Sequence, residues 1–327
     1  MRVLNADVLF GQNELTNPTS FINQIDFIEI NNGIFQHANI IDSCNTNIDD
    51  TVPIEWGNNF IFDCSFESLN GGNIEGVLSG INKILVKRRP NGQYAKISDG
   101  WTTVASLGIG NLEDLQFTIY DYVTANNTTY EYTLVPTLSQ RQGGIVMEVE
   151  SSITDNSVIL EASSEFNGVF ICNVQSSQRL QAGVSYDNNT YNQLNGTHQT
   201  LGAKYPIMVS NSVIGYVSGG VNGTILNKGY GKVDGVTGEM VRLDRAQIIE
   251  AREEFANFIT DHKPKILKDW NGNMWLIMLS ESPVYSFFNE WGMGLGSIQF
   301  SWNEIGDTSS DQDLEQAGMI YETEGGA

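Results

Sequence analysis

From Thr51 to about Ser152 the chain is written in short runs of apolar and polar residues, each closed by turn formers, and this pattern constrains the fold more than any other feature. Phe60-Ile-Phe62-Asp-Cys64-Ser-Phe66 alternates apolar and polar positions. Ile81 to Arg89, Trp101 to Leu107, Leu115 to Val123, Thr128 to Leu138 and Ile145 to Val149 follow, with Asn70-Gly-Gly, Pro90-Asn-Gly and Gly143-Gly144 between runs. Successive strand side chains point to opposite faces, so such runs suit a sheet with one buried face. Short strands at this spacing, with no helix between them, predict a β-sandwich over 51–152.

The residues on either side read differently. Phe21 to Ile30 and Ile34 to Ile41, broken by Asn31-Asn-Gly33, predict an N-terminal hairpin or extended arm over residues 1–50. From Ser163 a second domain begins, spanning about 160–310 and opening on the turn and strand Phe166-Asn-Gly168-Val-Phe170. Residues 173–203 are rich in Asn, Gln and Thr and read as a long polar loop, which is either functional or ordered by a neighbour. Tyr205 to Val209 and Val213 to Gly219 are two expected strands, joined around Asn211.

One helix is expected, over residues 244–261. Asp244 is a natural N-cap, with Gln247 three residues on. Ile248, Ala251, Phe255, Phe258 and Ile259 recur at three- and four-residue intervals and form one apolar face, and Pro264 stops the helix. Lys265 to Trp270 and Met274 to Leu279 then form a hairpin about Asn271-Gly272-Asn273. A Gly-rich stretch, Gly292 to Gly296, leads to the closing strand Ser297 to Ile305. Residues 311–327 read as an uncapped, acidic, mobile tail.

Across 327 residues, 17 Lys and Arg face 39 Asp and Glu, a formal net charge of -22. Arg2 is the only basic residue before Lys83, and none follows Lys268. Such a chain repels phosphate backbones, so sequence-specific nucleic-acid binding is excluded as an expectation. At 40% hydrophobic and 17% charged residues the chain is a folding one. Cys44, Cys64 and Cys172 are few, odd in number and widely spaced, which suits a reducing compartment better than a disulfide framework. Met1-Arg-Val-Leu-Asn5 lacks an apolar signal core, and no window approaches the roughly 18 apolar residues that span a membrane.

Candidates for chemistry are scattered. His37, His198 and His262 lie far apart, none in a zinc-binding spacing. No phosphate loop, dinucleotide fingerprint or nucleophile elbow is present, and Gly292 to Gly296 lacks a following helix. Glu250, Glu253 and Glu254 sit on or near a charged helical face, where solvation accounts for them better than paired-acid hydrolysis. Asp307, Asp311 and Asp313 lack the glycine and terminal Glu of a helix-loop-helix calcium site. The expectation is a non-enzymatic chain with no catalytic, cofactor-binding or metal-binding residue.

Two resemblances sharpen this. Thr129-Tyr130-Glu-Tyr132-Thr-Leu134-Val135-Pro136 resembles the penultimate strand of a fibronectin type III domain, and Trp56, Trp101 and Ile81–Lys87 fit the same likeness. The phrase from Lys263 through Asp307, with Ile266-Leu-Lys-Asp269 and Trp302-Asn-Glu-Ile-Gly-Asp307, resembles the tail-tube-like and distal tail proteins of bacteriophages infecting Gram-positive bacteria. The resemblance implies a tail-tube-like β-sandwich with one flanking helix and a structural role at the tail tip, baseplate or adaptor. It implies self-association into a ring, with a hexamer favoured, other tail or baseplate proteins as partners, and genomic DNA passing an acidic channel without specific binding. It places the chain in the virion, made in the bacterial cytoplasm. The alternative is a carbohydrate- or receptor-binding module of the virion, with Trp101, Trp291 and Trp302 as stacking platforms, although Trp302 reads better as core.

Overall fold

The computed structural model describes residues 28–31, 40–41, 64–65, 81–92, 94–109, 114, 117–142, 145–150, 153, 159–180, 182–186, 189–199, 201–202, 204–224, 245–287 and 296–324. Over these the chain is mainly β. It divides into two compact units, one built on Ile25–Phe166 and Thr308–Ala327, the other on Asn167–Asn173 and Ser177–Asp307.

In the first unit β1 (Ile28–Asn31), β2 (Ile40–Ile41) and β3 (Cys64–Ser65) are short. β4 (Ile81–Pro90), β5 (Thr102–Gly108), β6 (Thr118–Asp121), β7 (Thr128–Gln142), β8 (Ile145–Glu150) and β9 (Leu160–Ser164) follow. β4 is central, antiparallel to β5 on one side and to β7 on the other. The far edge of β7 carries β9 along Thr128–Tyr132 and β8 along Thr137–Gln142. Ile84, Val86, Ala105, Leu107, Tyr130, Tyr132 and Val135 are buried here. Of the two expectations for residues 1–50, a hairpin or an extended arm, the hairpin does not form between the residues described. β1 pairs antiparallel with β6, and β2 pairs in parallel with β3. Ile30, 1% exposed, supplies the physical reason, since pairing with β6 takes it out of water. The remainder of residues 1–50 lies outside the described residues, as do Trp56 and most of Phe60–Phe66.

The second unit opens on Gly168, whose φ of +114° starts β10 (Val169–Cys172). β11 (Ser177–Leu180), β12 (Ala182–Tyr186), β13 (Thr190–His198) and β14 (Ile207–Thr224) come next. Then follow α1 (Arg245–Ile259), β15 (Lys265–Asp269), β16 (Met274–Leu279), β17 (Val284–Phe287) and β18 (Gly296–Gly306). The sheet runs β11-β10-β15-β16-β18-β14-β12, with β13 on β14 and β17 on β18. Phe255 and Ile259 of α1 are buried in a core with Val169, Ile171, Leu267, Ile277, Phe300 and Trp302. The helix ends as Thr260 donates its N–H and hydroxyl to the Ala256 carbonyl and His262 turns left-handed at φ +58°. Asp244, the expected N-cap, lies outside the described residues.

The β15–β16 hairpin is built around one carboxylate. Asp269 accepts from the backbone N–H of Asn271 at 2.9 Å, the N–H of Asn273 at 3.0 Å and the Asn273 side chain at 2.9 Å. Gly272, at φ +85°, takes the left-handed position that such a turn needs.

Three expectations are overturned by backbone pairing. Residues 173–203 are not a loop, because β11, β12 and β13 run through them. Tyr205–Val209 and Val213–Gly219 are not two strands, because residues 207–224 form the single strand β14. In β13 and the outer part of β14 the described side chains face water for the most part, so no buried face demands apolar alternation and backbone hydrogen bonds suffice to make the strand.

The third correction concerns 311–327, described through residue 324. These residues are folded, as α2 (Asp311–Gln316) and β19 (Tyr321–Thr323). Ser310 caps α2 by accepting from the Asp313 N–H, and Leu314 and Met319 are buried. β19 pairs in parallel with β5 and extends the sheet of the first unit. Two buried apolar side chains and a cap anchor a segment whose charge had suggested a tail.

Candidate functional site

The residues weighed for chemistry stay apart. His198 is exposed on β13, His262 is exposed after α1, and His37 lies outside the described residues. Glu250, Glu253 and Glu254 are exposed on α1, where Glu254 accepts from the Gln178 amide at 3.1 Å. Asp311 accepts from the Thr103 N–H at 2.5 Å, and Asp313 lies in the first turn of α2. Among the described residues no group of three His, Cys, Asp or Glu could hold a metal ion, and no helix is long and apolar enough to cross a membrane. Cys172 is buried and in no disulfide, its Sγ 3.2 Å from the Ser177 hydroxyl.

The stacking platforms fare unevenly. Trp302 is fully buried beside Trp275, with ring centroids 5.4 Å apart. Trp101 donates its indole N–H to the Ile97 carbonyl at 2.6 Å, and the Arg89 guanidinium lies 4.5 Å from its ring centre. Trp291 lies outside the described residues.

Charged side chains in the first unit act as cross-braces. A groove of about 290 Å³ is lined by Lys83, Thr103, Glu148, Glu150 and Asp311 among others. Three of its acids are engaged: Glu148 pairs with Lys83 at 3.0 Å, Glu150 with Lys87, and Asp311 with Thr103. Deeper in, Asp121 accepts from Arg88 Nη1 at 2.7 and 2.6 Å, from the Tyr132 hydroxyl at 2.8 Å and from the Val123 N–H at 3.0 Å. Burial opposes the Arg88 charge, but Asp121 and the Tyr132 and Tyr130 hydroxyls outweigh it, and the net pKa shift is upward. Burial, and then the Asp121 charge, push the Tyr132 pKa well above its ordinary value. These bonds join residues of β4, β6 and β7, so the set ties the three strands together.

The feature that stands apart is a two-stranded ribbon. The inner half of β14, Ser218–Thr224, pairs with β18 inside the sheet. Its outer half, from Ile207 to Val217, pairs only with β13 among the described residues. At the strand rise of about 3.3 Å per residue this outer half reaches roughly 30 Å. Burial stops abruptly at Val217. Beyond it Ile207, Met208 and Val209 are consecutive and all exposed, so apolar side chains stand on both faces. Tyr191 is 81% exposed, Tyr205 71% and Met208 67%, and Leu201 at the connecting turn is fully exposed.

The base of the ribbon is clamped. Glu304 of β18 accepts from the Val217 N–H at 2.8 Å, just past the point where the β14–β18 ladder stops at Ser218 and Asn303. The Asn192 amide donates to the Ser218 hydroxyl at 2.8 Å and to the Tyr216 carbonyl at 3.4 Å. Gly219 lies where a Cβ would come within 3.0 Å of the Trp302 ring, so core and ribbon share one strand at close quarters. An isolated two-stranded ribbon is marginal in water. Covering its side chains would contribute about 1.5–3 kcal/mol for each one fully buried. The available sequence signal was the run Tyr205-Pro-Ile-Met-Val209 beside an unusually polar stretch.

No known family model matches the sequence, and no curated protein matches it.

Proposed function

We propose that the chain is a non-enzymatic structural component of a bacteriophage tail, at the tail tip, baseplate or an adaptor ring around the DNA channel. The observation that carries the reading is the ribbon. A strand pair with apolar residues on both faces, stiffly clamped at its base, is an assembly device rather than a catalytic one. The tail assignment itself rests on the sequence resemblance over 160–310, and the order α1, β15, turn, β16, β18 is compatible with it. In this reading the first unit is a fibronectin type III-like sandwich and the second a tail-tube-like sandwich. Copies join into a ring, with a hexamer favoured, alongside other tail or baseplate proteins. The net charge of -22 then lets genomic DNA pass without sticking. The carbohydrate-binding reading is weaker, since Trp302 is core and one face of Trp101 is occupied by Arg89.

The test is location. Tail particles purified from a lysate of a phage encoding this chain are examined by mass spectrometry, and by labelling with an antibody to the chain under the electron microscope. The expected result is co-purification in a fixed ratio and label confined to one zone of the tail. Absence from the particles, or clear degradation of cell walls by the purified chain, overturns the reading.

A further inference from the structure

The charge along the chain is not evenly spread, and the exception coincides with the ribbon. Residues 188–233 contain no Asp or Glu, the longest acid-free stretch in the sequence; of its three lysines Lys204 lies at the ribbon turn, and Lys228 and Lys232 lie outside the described residues. The excess of acid therefore lies wholly in the rest of the chain. At the ribbon turn Lys204 sits 5.4 Å from the centre of the Tyr205 ring, beside the exposed Leu201. The ribbon thus combines exposed apolar side chains with Lys204 and no acid, on a chain whose excess of acid lies elsewhere.

We propose that the ribbon docks on a second copy of this chain, against an acid-bearing surface outside the neighbour's own ribbon. This rests on the assembly reading above and names the partner and the contact. Apolar residues on both faces of a ribbon call for a partner that covers it from more than one side. The choice of partner follows from charge: a surface free of acid and carrying lysine is attracted to acidic protein, and every copy of this chain supplies such a surface. Ribbon against ribbon would set like against like and gain nothing electrostatically. The contact is therefore between unlike surfaces, and repetition of one such contact closes a ring when its rotation allows.

The experiment uses the full chain with a photo-crosslinking p-benzoylphenylalanine in place of Tyr205. Copies in natural and heavy nitrogen are mixed in equal amounts, irradiated and mapped by mass spectrometry. The expected products join a light copy to a heavy copy, from position 205 to a peptide outside residues 190–216. Products within one copy only, products joining two ribbons, or no product at all overturn the proposal. An Ile207→Asp and Val209→Asp double variant is the control. Both side chains are 55% exposed, so its melting temperature is expected to stay at the parent value while the mixed-isotope product falls at least tenfold. Unchanged cross-linking in that variant also overturns the proposal. Failure here with the chain still present in tail particles removes the contact and leaves the assembly reading standing. Absence from the particles removes the assembly reading.

Discussion

Replacing Asp121 by Ala should destabilise the first unit by about 3–5 kcal/mol, the cost of breaking a buried ion pair from one side. The structure gives the reason for a value of that size. Asp121 is 1% exposed and Arg88 4%, so neither side chain can turn to water when its partner is lost. Three groups lose their acceptor together: the Arg88 guanidinium, the Tyr132 hydroxyl and the Val123 N–H. A surface pair would cost only about 0–1 kcal/mol. The double variant Arg88→Met with Asp121→Leu should recover part of the loss, because no charge is then left buried, while the Tyr132 hydroxyl and the Val123 N–H still lack their acceptor. The assay is urea unfolding read by hydrogen exchange, with peptides from β4 and β7 followed separately from those of β15 and β16. Protection should fall in the first set and hold in the second. A cost below about 1 kcal/mol for Asp121→Ala, or a double variant no better than the single, would show that the pair is not sealed from solvent and refute the argument.

Further outcomes follow from the same physics. Phe255→Ala removes the largest buried side chain of α1 and should cost about 3–5 kcal/mol, seen as lost exchange protection in β15 and β16. Tyr130 and Tyr132 have raised pKa values, chiefly through burial, so above pH about 10 the unfolded chain releases protons that the folded chain keeps. Stability should therefore hold below that pH and fall as pH rises beyond it. Urea midpoints between pH 8 and 11 would check this, with Tyr132→Phe giving a shallower decline. Leu314→Ala should weaken the first unit by about 2–5 kcal/mol, measured as exchange in β5, whereas a mobile tail would show no effect.

Where one side of a strand is buried, its residues announce it. Ser297–Ile305 alternates because one set of side chains must leave water, whereas Ile81–Arg89 and Thr128–Leu138 are buried on both faces over residues 84–86 and 132–137, and the structure has strands in all three places. The Asn271-Gly272 turn is equally legible, since few residues take a left-handed position. The helix face of Phe255 and Ile259 was readable for the same reason of burial. β13 and outer β14 were not, because residues wet on both faces are free of that demand and Asn, Gln and Thr serve as well as any. α2 is too short for a periodic signal, although Ser310 placed three residues before Asp313 is a capping pattern that marks its start. The ribbon as a candidate site was half legible. Its polar segment was expected to be functional or ordered by a neighbour, but only pairing with β14 sets exposed Tyr191 opposite Val217 and puts exposed Tyr216, opposite Asn192, on the other face of the same element.

The register of β13 on β14 shifts once, between Gln193 opposite Gly215 and Leu194 opposite Asn211. Residues 212–214 of β14 are thereby left without opposite numbers. Along an unbroken strand, one inserted residue would exchange the two faces of everything beyond it. An irregularity of this kind acts as an expansion joint. Length can be gained or lost there without changing which side chains of residues 218–224 meet the core. The inner strand and the outer ribbon can therefore drift under separate demands, the first held by Trp302 and its neighbours, the second by whatever surface it must fit.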